Sequence, residues 1–394
     1  MAGLRAVIVG GGVGGLTTAL SLRAIGIDAT VYERAPSLEA AQSGGGIHLW
    51  SNAMHVFNHL GLADAIRAVG AEQGVAEFCS WRGPVLAHWP IDEFSRRVGL
   101  PTIGVSRADL HPVLVDAVGA ENIVFGAQCT GYTEDASGVT VRFADGREER
   151  ADLLIGADGI SSAVRAQIHG QQPQRYAGYT LWQAIIDYPT DQAPADYFCV
   201  LWGRGQRFSY YRVGGGRLYW FVVGNAPARE QDPPHGKAEL ILKRLGPGWP
   251  ALVPAVIRAT GDDAISRVDM RDRPPVKHWG EGRVTLLGDA AHPMTFNVGQ
   301  GACQAVEDAG ALARHLGGTS DIPAALRAYE AERIKRTTPI VNLAWQLGSF
   351  GRWENPLACR LRDQMLRVML STVAWRGHER DMAYDVWDNR QIAI

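Results

Sequence analysis

The sequence predicts an α/β fold of two domains, and three observations carry that prediction. A glycine-rich turn near the N-terminus sits between a short apolar strand and a helix. Two later apolar strands each run into an acidic turn and then a helix, the pattern of a three-layer domain built on an open sheet. Between those two strands, from about residue 171 to 273, aromatic residues become dense and hydrophobicity alternates with period two, the pattern of a mainly antiparallel sheet.

Residues Arg5–Val9 read as a buried strand, and Gly10-Gly11-Gly12-Val13-Gly14-Gly15 then matches G-x-G-x-x-G. Residues 16–25 read as a helix stopped by Gly26, and residues 28–32 as a second strand that ends at Glu33. Glu33 follows Gly10 by 23 residues, near the roughly 20 expected of an acid that holds a ribose. Gly10 permits the tight turn, Gly12 lets a pyrophosphate approach the backbone, and Gly15 lets helix and strand pack closely. The helix N-terminus adds free N–H groups and about half a positive charge. The unit predicts dinucleotide binding, without separating NAD from FAD. An ordinary glycine-rich loop is the alternative.

Gly44, Gly45 and Gly46, followed by Ile47, let the backbone lie close to a flat ligand. Residues 52–60 read as a helix stopped by Gly61. Ser106 is a helix N-cap, with Asp109 at the position of a capping-box acid. Arg107 beside it is either a surface charge or a contact to phosphate or adenosine. Residues 152–159 form a strand ending in Asp158-Gly159, with a helix over 161–168. Residues 283–292 form another strand, running into Gly288-Asp289-Ala290-Ala291-His292. Gly299-Gln300-Gly301 then opens a helix that carries Glu307 and Asp308. Open α/β sheets bind ligands at such strand ends, although either acid in isolation is as readily a cap.

Composition narrows the classes of function. The 394 residues suggest two or three folding units. With 46% hydrophobic and 20% charged residues, the chain can bury a large core. A formal net charge of −2 argues against a general affinity for nucleic acid. Glycine is enriched, at 46 residues, but clustered and not periodic. The five cysteines are scattered and form no CxxC pair, which argues against a zinc site or disulfide scaffold and suits a reducing cytoplasm. Residues 6–22 resemble the apolar core of a secretory signal, but five of them are glycine, and the strand–turn–helix reading accounts for them better. No other stretch approaches a membrane span. No metal-ligand cluster, HExxH or G-x-S-x-G appears.

Together, Gly10–Gly15 of the first turn, Asp158-Gly159, and Gly288-Asp289 continuing as AAHPM, GQG and EDA through Asp308 resemble the class A FAD-dependent monooxygenases typified by para-hydroxybenzoate hydroxylase. The smaller salicylate-hydroxylase, urate-hydroxylase and zeaxanthin-epoxidase-like members are the most similar. The C-terminal Arg352-Trp353-Glu354-Asn355-Pro356-Leu357 fits as well, so the likeness spans essentially the whole chain. It implies a Rossmann-like FAD-binding domain and an aromatic hydroxylase. NADH or NADPH would act as transient reductant, and O₂ would supply one oxygen atom through a flavin C4a-hydroperoxide. Epoxidation, Baeyer–Villiger oxidation or redox-neutral ring chemistry in a related flavoenzyme is the alternative. The likeness also implies that Glu33 holds the adenosine ribose, Arg34 lies by the adenine and Arg107 by the FAD phosphates. Asp158 serves FAD and the nicotinamide cofactor. Asp289 meets the ribityl or pyrophosphate portion, and the helix start at Gly299 and Gly301 faces the flavin ring. The absence of a second dinucleotide fingerprint agrees with transient docking of the nicotinamide cofactor.

Within the aromatic segment, residues 179–188 read as a strand, and residues 207–213 and 217–223 as a hairpin around Gly214-Gly215-Gly216. That loop would pair Tyr211 with Tyr219 and Ser209 with Phe221. Parity then puts Arg207, Ser209, Tyr211, Tyr219 and Phe221 on one face, with Phe208, Tyr210, Arg212, Leu218, Trp220 and Val222 on the other. The Arg207/Tyr211/Tyr219 face suits a pocket for a planar, anionic aromatic substrate, and sheet packing is the alternative for these tyrosines. Trp182 either lines the same cavity or packs, and His48 either meets substrate or is structural. His292 reads as structural. Family members usually carry a proline in the loop before GQG, at or near the place that Phe296 fills here. Phe296 therefore narrows the pocket, changes how substrate is held or marks altered chemistry. The expected division is an FAD domain over 1–75, 100–170 and 274–325, a substrate domain over 76–99 and 171–273, and a helical region over 326–394. The apolar and cationic mix of residues 333–345 fits an amphipathic packing helix rather than a coiled-coil arm, which Pro339 would interrupt. The expected assembly is a monomer or homodimer.

Overall fold

In the computed structural model, which describes residues 3–41 and 44–391, five strands form a parallel sheet. Their order is Val284–Leu286, Leu153–Gly156, Arg5–Val9, Asp28–Glu33 and Ile123–Phe125. Ile8, Val31, Leu154 and Leu286 are wholly buried, as expected for strands covered on both faces. A three-stranded antiparallel sheet, Cys129–Asp135, Gly138–Phe143 and Glu148–Ala151, packs on one face, where Phe143 stacks on Tyr32 at 4.7 Å. Helices Val13–Ala24 and Gly301–Gly317 form the third layer. The first helix begins at Val13, three residues earlier than the sequence suggests, because Gly14 and Gly15 belong to its first turn. Gly26 closes it with φ +82°.

A second sheet has seven strands: Ser266–Asp272, Arg175–Asp187, Arg217–Asn225, Gln206–Arg212, Tyr197–Trp202, Val75–Ser80 and Val85–Pro90. Neighbours are antiparallel except the Tyr197–Trp202 and Val75–Ser80 pair. The hairpin has the expected register, with Tyr211 opposite Tyr219 and Ser209 opposite Phe221. Gly215 and Gly216 turn the loop at φ +70° and +71°, where a side chain would be strained. One face of this sheet buries Phe208, Trp220 and Val222 against helices Lys237–Leu245 and Leu252–Arg258. The opposite face carries Tyr179, Tyr211, Tyr219 and Phe221.

Helices Ile322–Gly351, Pro356–Ser371 and Val373–Met382 follow. The first includes the expected packing helix over 333–345, and its 30 residues run on through Pro339. A proline removes one helical donor, but tertiary packing offsets that loss here. Ile340, Val341 and Ala344 are buried, and the Ala344 carbonyl accepts a hydrogen bond from Asn297 at 2.8 Å. Asn355 caps the next helix by accepting from the Leu357 and Ala358 N–H groups.

Candidate active site

The glycine turn is shaped by contact on one side and openness on the other. A Cβ at Gly10 would lie 2.3 Å from the Ala157 carbonyl oxygen, and one at Gly15 would lie 1.9 Å from that of Gly10. A Cβ at Gly12 would meet nothing within 4 Å. The Val13–Ala24 helix has no side-chain cap at Gly12, so its N–H groups face the opening. Glu33 accepts from the Gly11 N–H at 2.6 Å and from the Ala35 N–H at 2.8 Å, which fixes its carboxylate beside the turn. Arg34, next in the chain, is exposed. His111 braces the turn from behind through a 2.6 Å contact to the Gly11 carbonyl.

Asp158 accepts from the Ala163 N–H at 2.7 Å through one oxygen, while its other oxygen is buried without a partner among the described residues. Desolvation raises its pKa, and hydrogen bonds from Ser162 and the following backbone oppose the rise. Arg165, wholly inside, donates to the carbonyls of Ala290 and Ala291 at 2.9 Å each, joining the Asp158 turn to the Asp289 loop. Its Nε and Nη2 have no partner among the described residues. Asp289 is open to solvent yet ringed by protein. Desolvation pushes its pKa up against the pull of His292 and Arg107. Below it, Asp308 accepts from the Gly288 N–H at 2.9 Å and from His292 at 2.6 Å, so His292 holds the loop. Arg333 bridges Asp308 and Glu307 at 2.6 Å each, and all three are buried.

Gly299 turns at φ +63° into the Gly301–Gly317 helix, which also lacks a side-chain cap. The two uncapped helix starts, the open side of Gly12 and the unpartnered atoms of Asp158 and Arg165 form a donor and acceptor set that fits a flavin dinucleotide. Gly44, Gly45 and Gly46 lie between this groove and the seven-stranded sheet. A Cβ at Gly44 would strike Arg107 at 2.8 Å, one at Gly45 Gln183 at 2.2 Å, and one at Gly46 Tyr219 at 2.6 Å. Ile47, half-buried, pairs with Val105 beside them.

On the facing sheet, Arg207 is buried, and its Nε and Nη2 have no partner among the described residues. Its guanidinium carbon lies 5.0 Å from the Trp202 ring, 5.4 Å from Phe296 and 5.7 Å from Tyr179. Desolvation lowers its pKa, Tyr179 opposes, and Arg362 adds to the lowering. Phe296 also meets Phe221 edge-on at 5.2 Å, so it is a wall of this pocket. Tyr219 donates to Gln183 at 2.5 Å. Burial raises the pKa of both Tyr211 and Tyr219, so both phenols stay protonated. His48 stacks on Tyr211 at 3.8 Å, with Nε2 unpartnered among the described residues. Desolvation pushes its pKa down to about 3, opposed by Gln73 and reinforced by His378.

Trp182 corrects one expectation. Its neighbour Gln183 pairs with Phe221 on the pocket face, so Trp182 pairs with Val222 on the opposite face and donates to Asp232 at 2.7 Å. It lines a separate cavity of about 210 Å³ with Gln206 and Arg244. Sequence reasoning missed Tyr179, Gln183, Trp202 and Arg165. Strand parity carried the signal for Tyr179 and Gln183, once the register of that strand is known.

The fold and this donor set define a flavoprotein with a buried cluster of aromatic side chains and one arginine against its dinucleotide groove. A family model described as an FAD binding domain matches residues 4–344, and the chain belongs to that family. Its relatives are class A flavin monooxygenases, and it is an FAD-dependent monooxygenase. It is 44% identical over 369 residues to the aurachin C monooxygenase/isomerase of Stigmatella aurantiaca, covering 94% of this chain and 95% of that one. It is 36% identical over 341 residues to the FAD-dependent urate hydroxylase of Klebsiella pneumoniae, covering 86% and 88%. The crystal structure of Klebsiella pneumoniae HpxO with FAD and uric acid superposes with a TM-score of 0.90 at 32% identity, covering 97% of each chain.

Proposed function

We propose that this enzyme uses NADH or NADPH and O₂ to place one oxygen atom on a planar aromatic or heteroaromatic molecule that carries a carbonyl or anionic oxygen. The observation that carries this reading is Arg207, a buried guanidinium with two unpartnered nitrogens inside a cage of Trp202, Tyr179 and Phe296. Such a cation recognises an oxygen acceptor, and its aromatic walls suit a flat ring.

FAD, when bound, supplies the oxygen activation. Glu33 would hold its ribose, Arg34 and Arg107 its adenine and phosphate side, and Asp158 and Asp289 the middle of the molecule. Gly46, Ile47, Gly299 and Gly301 would flank its ring. Arg207 anchors the substrate, and Phe221 and Phe296 exclude water. Tyr211 and Tyr219 keep their protons and offer hydroxyl groups to the ring. The reading places the FAD domain at 1–75, 100–170 and 274–325 and the substrate domain at 76–99 and 171–273, in a cytoplasmic monomer or homodimer. No helix among the described residues is long and apolar enough to cross a membrane.

The test is NADH and NADPH oxidation by the FAD-loaded enzyme against phenols, salicylates, quinolones, indoles and purines, with product mass read under ¹⁸O₂. Stimulation by one scaffold and a product carrying one ¹⁸O atom supports the proposal. Stimulated oxidation that yields H₂O₂ and an unlabelled product overturns it, and conversion of a scaffold without net NAD(P)H consumption or label assigns redox-neutral ring chemistry instead.

A further inference from the structure

The Pro356–Ser371 helix has two opposed apolar faces. Cys359, Leu366 and Leu370 turn inward with the alkyl stem of Arg362. Leu357, Leu361, Met365, Val368 and Met369 turn outward, with Leu357 71%, Leu361 59% and Val368 65% exposed. The outward residues recur at intervals of three and four, so they form one stripe along the helix. The exposed Arg360 and Arg367 line one flank of it. Asp363, the only acid on the helix, is bonded to Arg362 at 2.7 Å. The exposed Arg376 follows on the next helix.

The inner face of the same helix touches the pocket wall. Arg362 donates to the Gly203 carbonyl at 2.8 Å and lies 5.5 Å from the Trp202 ring, which Arg207 faces from within the pocket.

We infer that this stripe seats the enzyme on an anionic membrane surface, with the helix lying in the plane of the headgroups. Its apolar residues would enter the acyl boundary while the arginines meet lipid phosphates. Charge decides between this occupant and a second copy of the chain. An antiparallel pairing of two stripes about a two-fold axis sets each flank against its own copy, so Arg360 and Arg367 would face arginines. An anionic surface complements the same flank. The seat also leaves the pocket about one helix diameter, roughly 10 Å, from the lipid, a short path for an apolar substrate.

The test is flotation of the full-length, FAD-loaded enzyme with vesicles of phosphatidylcholine alone or mixed with phosphatidylglycerol. Flotation is expected with the anionic vesicles only and is expected to weaken as salt rises. Arg360→Gln and Arg367→Gln should each lower the partition about five-fold. A double variant, Leu361→Glu with Val368→Glu, alters only exposed positions and should abolish flotation with FAD content and melting temperature unchanged. Absence of flotation with either vesicle overturns the inference, as does full flotation of the double variant. A dimer in sedimentation velocity that Leu361→Glu breaks, without flotation, assigns the stripe to a second copy instead.

Discussion

Replacing Arg207 by Met should weaken the enzyme's function and strengthen its fold. The guanidinium carbon sits 5.0–5.7 Å from three aromatic rings, and Nε and Nη2 are unpartnered. Each unsatisfied buried donor costs about 1–3 kcal/mol, and cation–π attraction recovers about 0.5–2 kcal/mol. Two such donors, less that attraction, leave the folded protein with a net penalty centred on roughly 3 kcal/mol that the apolar side chain removes. At about 2–4 °C per kcal/mol for mid-sized domains, and less for a longer chain, the melting temperature should rise by a few degrees. Substrate binding should fall in the opposite direction. Losing a buried charge-assisted contact costs about 2–4 kcal/mol, or roughly 30- to 1,000-fold in affinity. Melting of the FAD-loaded variant, its FAD absorbance and its KM for the stimulating substrate test all three terms. The reasoning fails if Arg207→Met loses stability and FAD together, or if its substrate affinity matches that of the parent.

Gly15→Ala should prevent stable folding around FAD, because the new Cβ would sit 1.9 Å from the Gly10 carbonyl oxygen, and the yield of flavin-bound protein measures this. Arg333→Met leaves Glu307 and Asp308 buried without their shared cation and should cost about 3–5 kcal/mol in a denaturant titration. Desolvation raises the pKa of Asp308, but His292 and Arg333 outweigh it and hold the group at about 2. Its contribution is thus fully present above the ordinary carboxylate range near pH 4 and is lost as pH falls toward 2, so acid should release FAD in that window. His48 behaves differently. Its folded pKa of about 3 lies below the ordinary 6.5, so the unfolded chain takes up the proton first and stability falls as pH drops through that interval. His48→Phe should flatten the dependence of stability on pH there by up to about 1.4 kcal/mol per pH unit.

The parts of the site that were legible in the sequence are those whose chemistry is local. The turn from Gly10 to Gly15 needs glycine because its own carbonyls and Ala157 crowd it, so residue type and spacing alone reveal it. The hairpin face was legible for a similar reason: three glycines fix the loop, and the loop fixes the parity of Arg207, Tyr211 and Tyr219. Trp182 shows where that logic ends. Its strand joins the hairpin across a long connection, and no turn sets their register. One residue then decides whether Trp182 or Gln183 faces the pocket. Pro339 shows the reverse case, in which a strong local signal yields to packing. The proline leaves the carbonyl of residue 335 without its helical donor, and the helix runs on because Ile340, Val341 and Ala344 beyond it are buried.

Arg207 belongs to neither kind. Its position was readable, but its isolation was not, because a missing counter-ion is a property of every element packed around it. Trp202 comes from a neighbouring strand, Phe296 from the loop before Gly299, and Gly351 closes over the guanidinium, where a Cβ would lie 2.9 Å from Nε. Each of these elements could have supplied a carboxylate, and each supplies an aromatic ring or a glycine instead. The fold thus bears the cost of a desolvated cation at the one place where an incoming oxygen acceptor would relieve it. Binding selectivity at this site follows from that relief: a flat ring with an oxygen aimed at Arg207 gains the full charge-assisted contact, and an isostere without the oxygen leaves the cation unpaired.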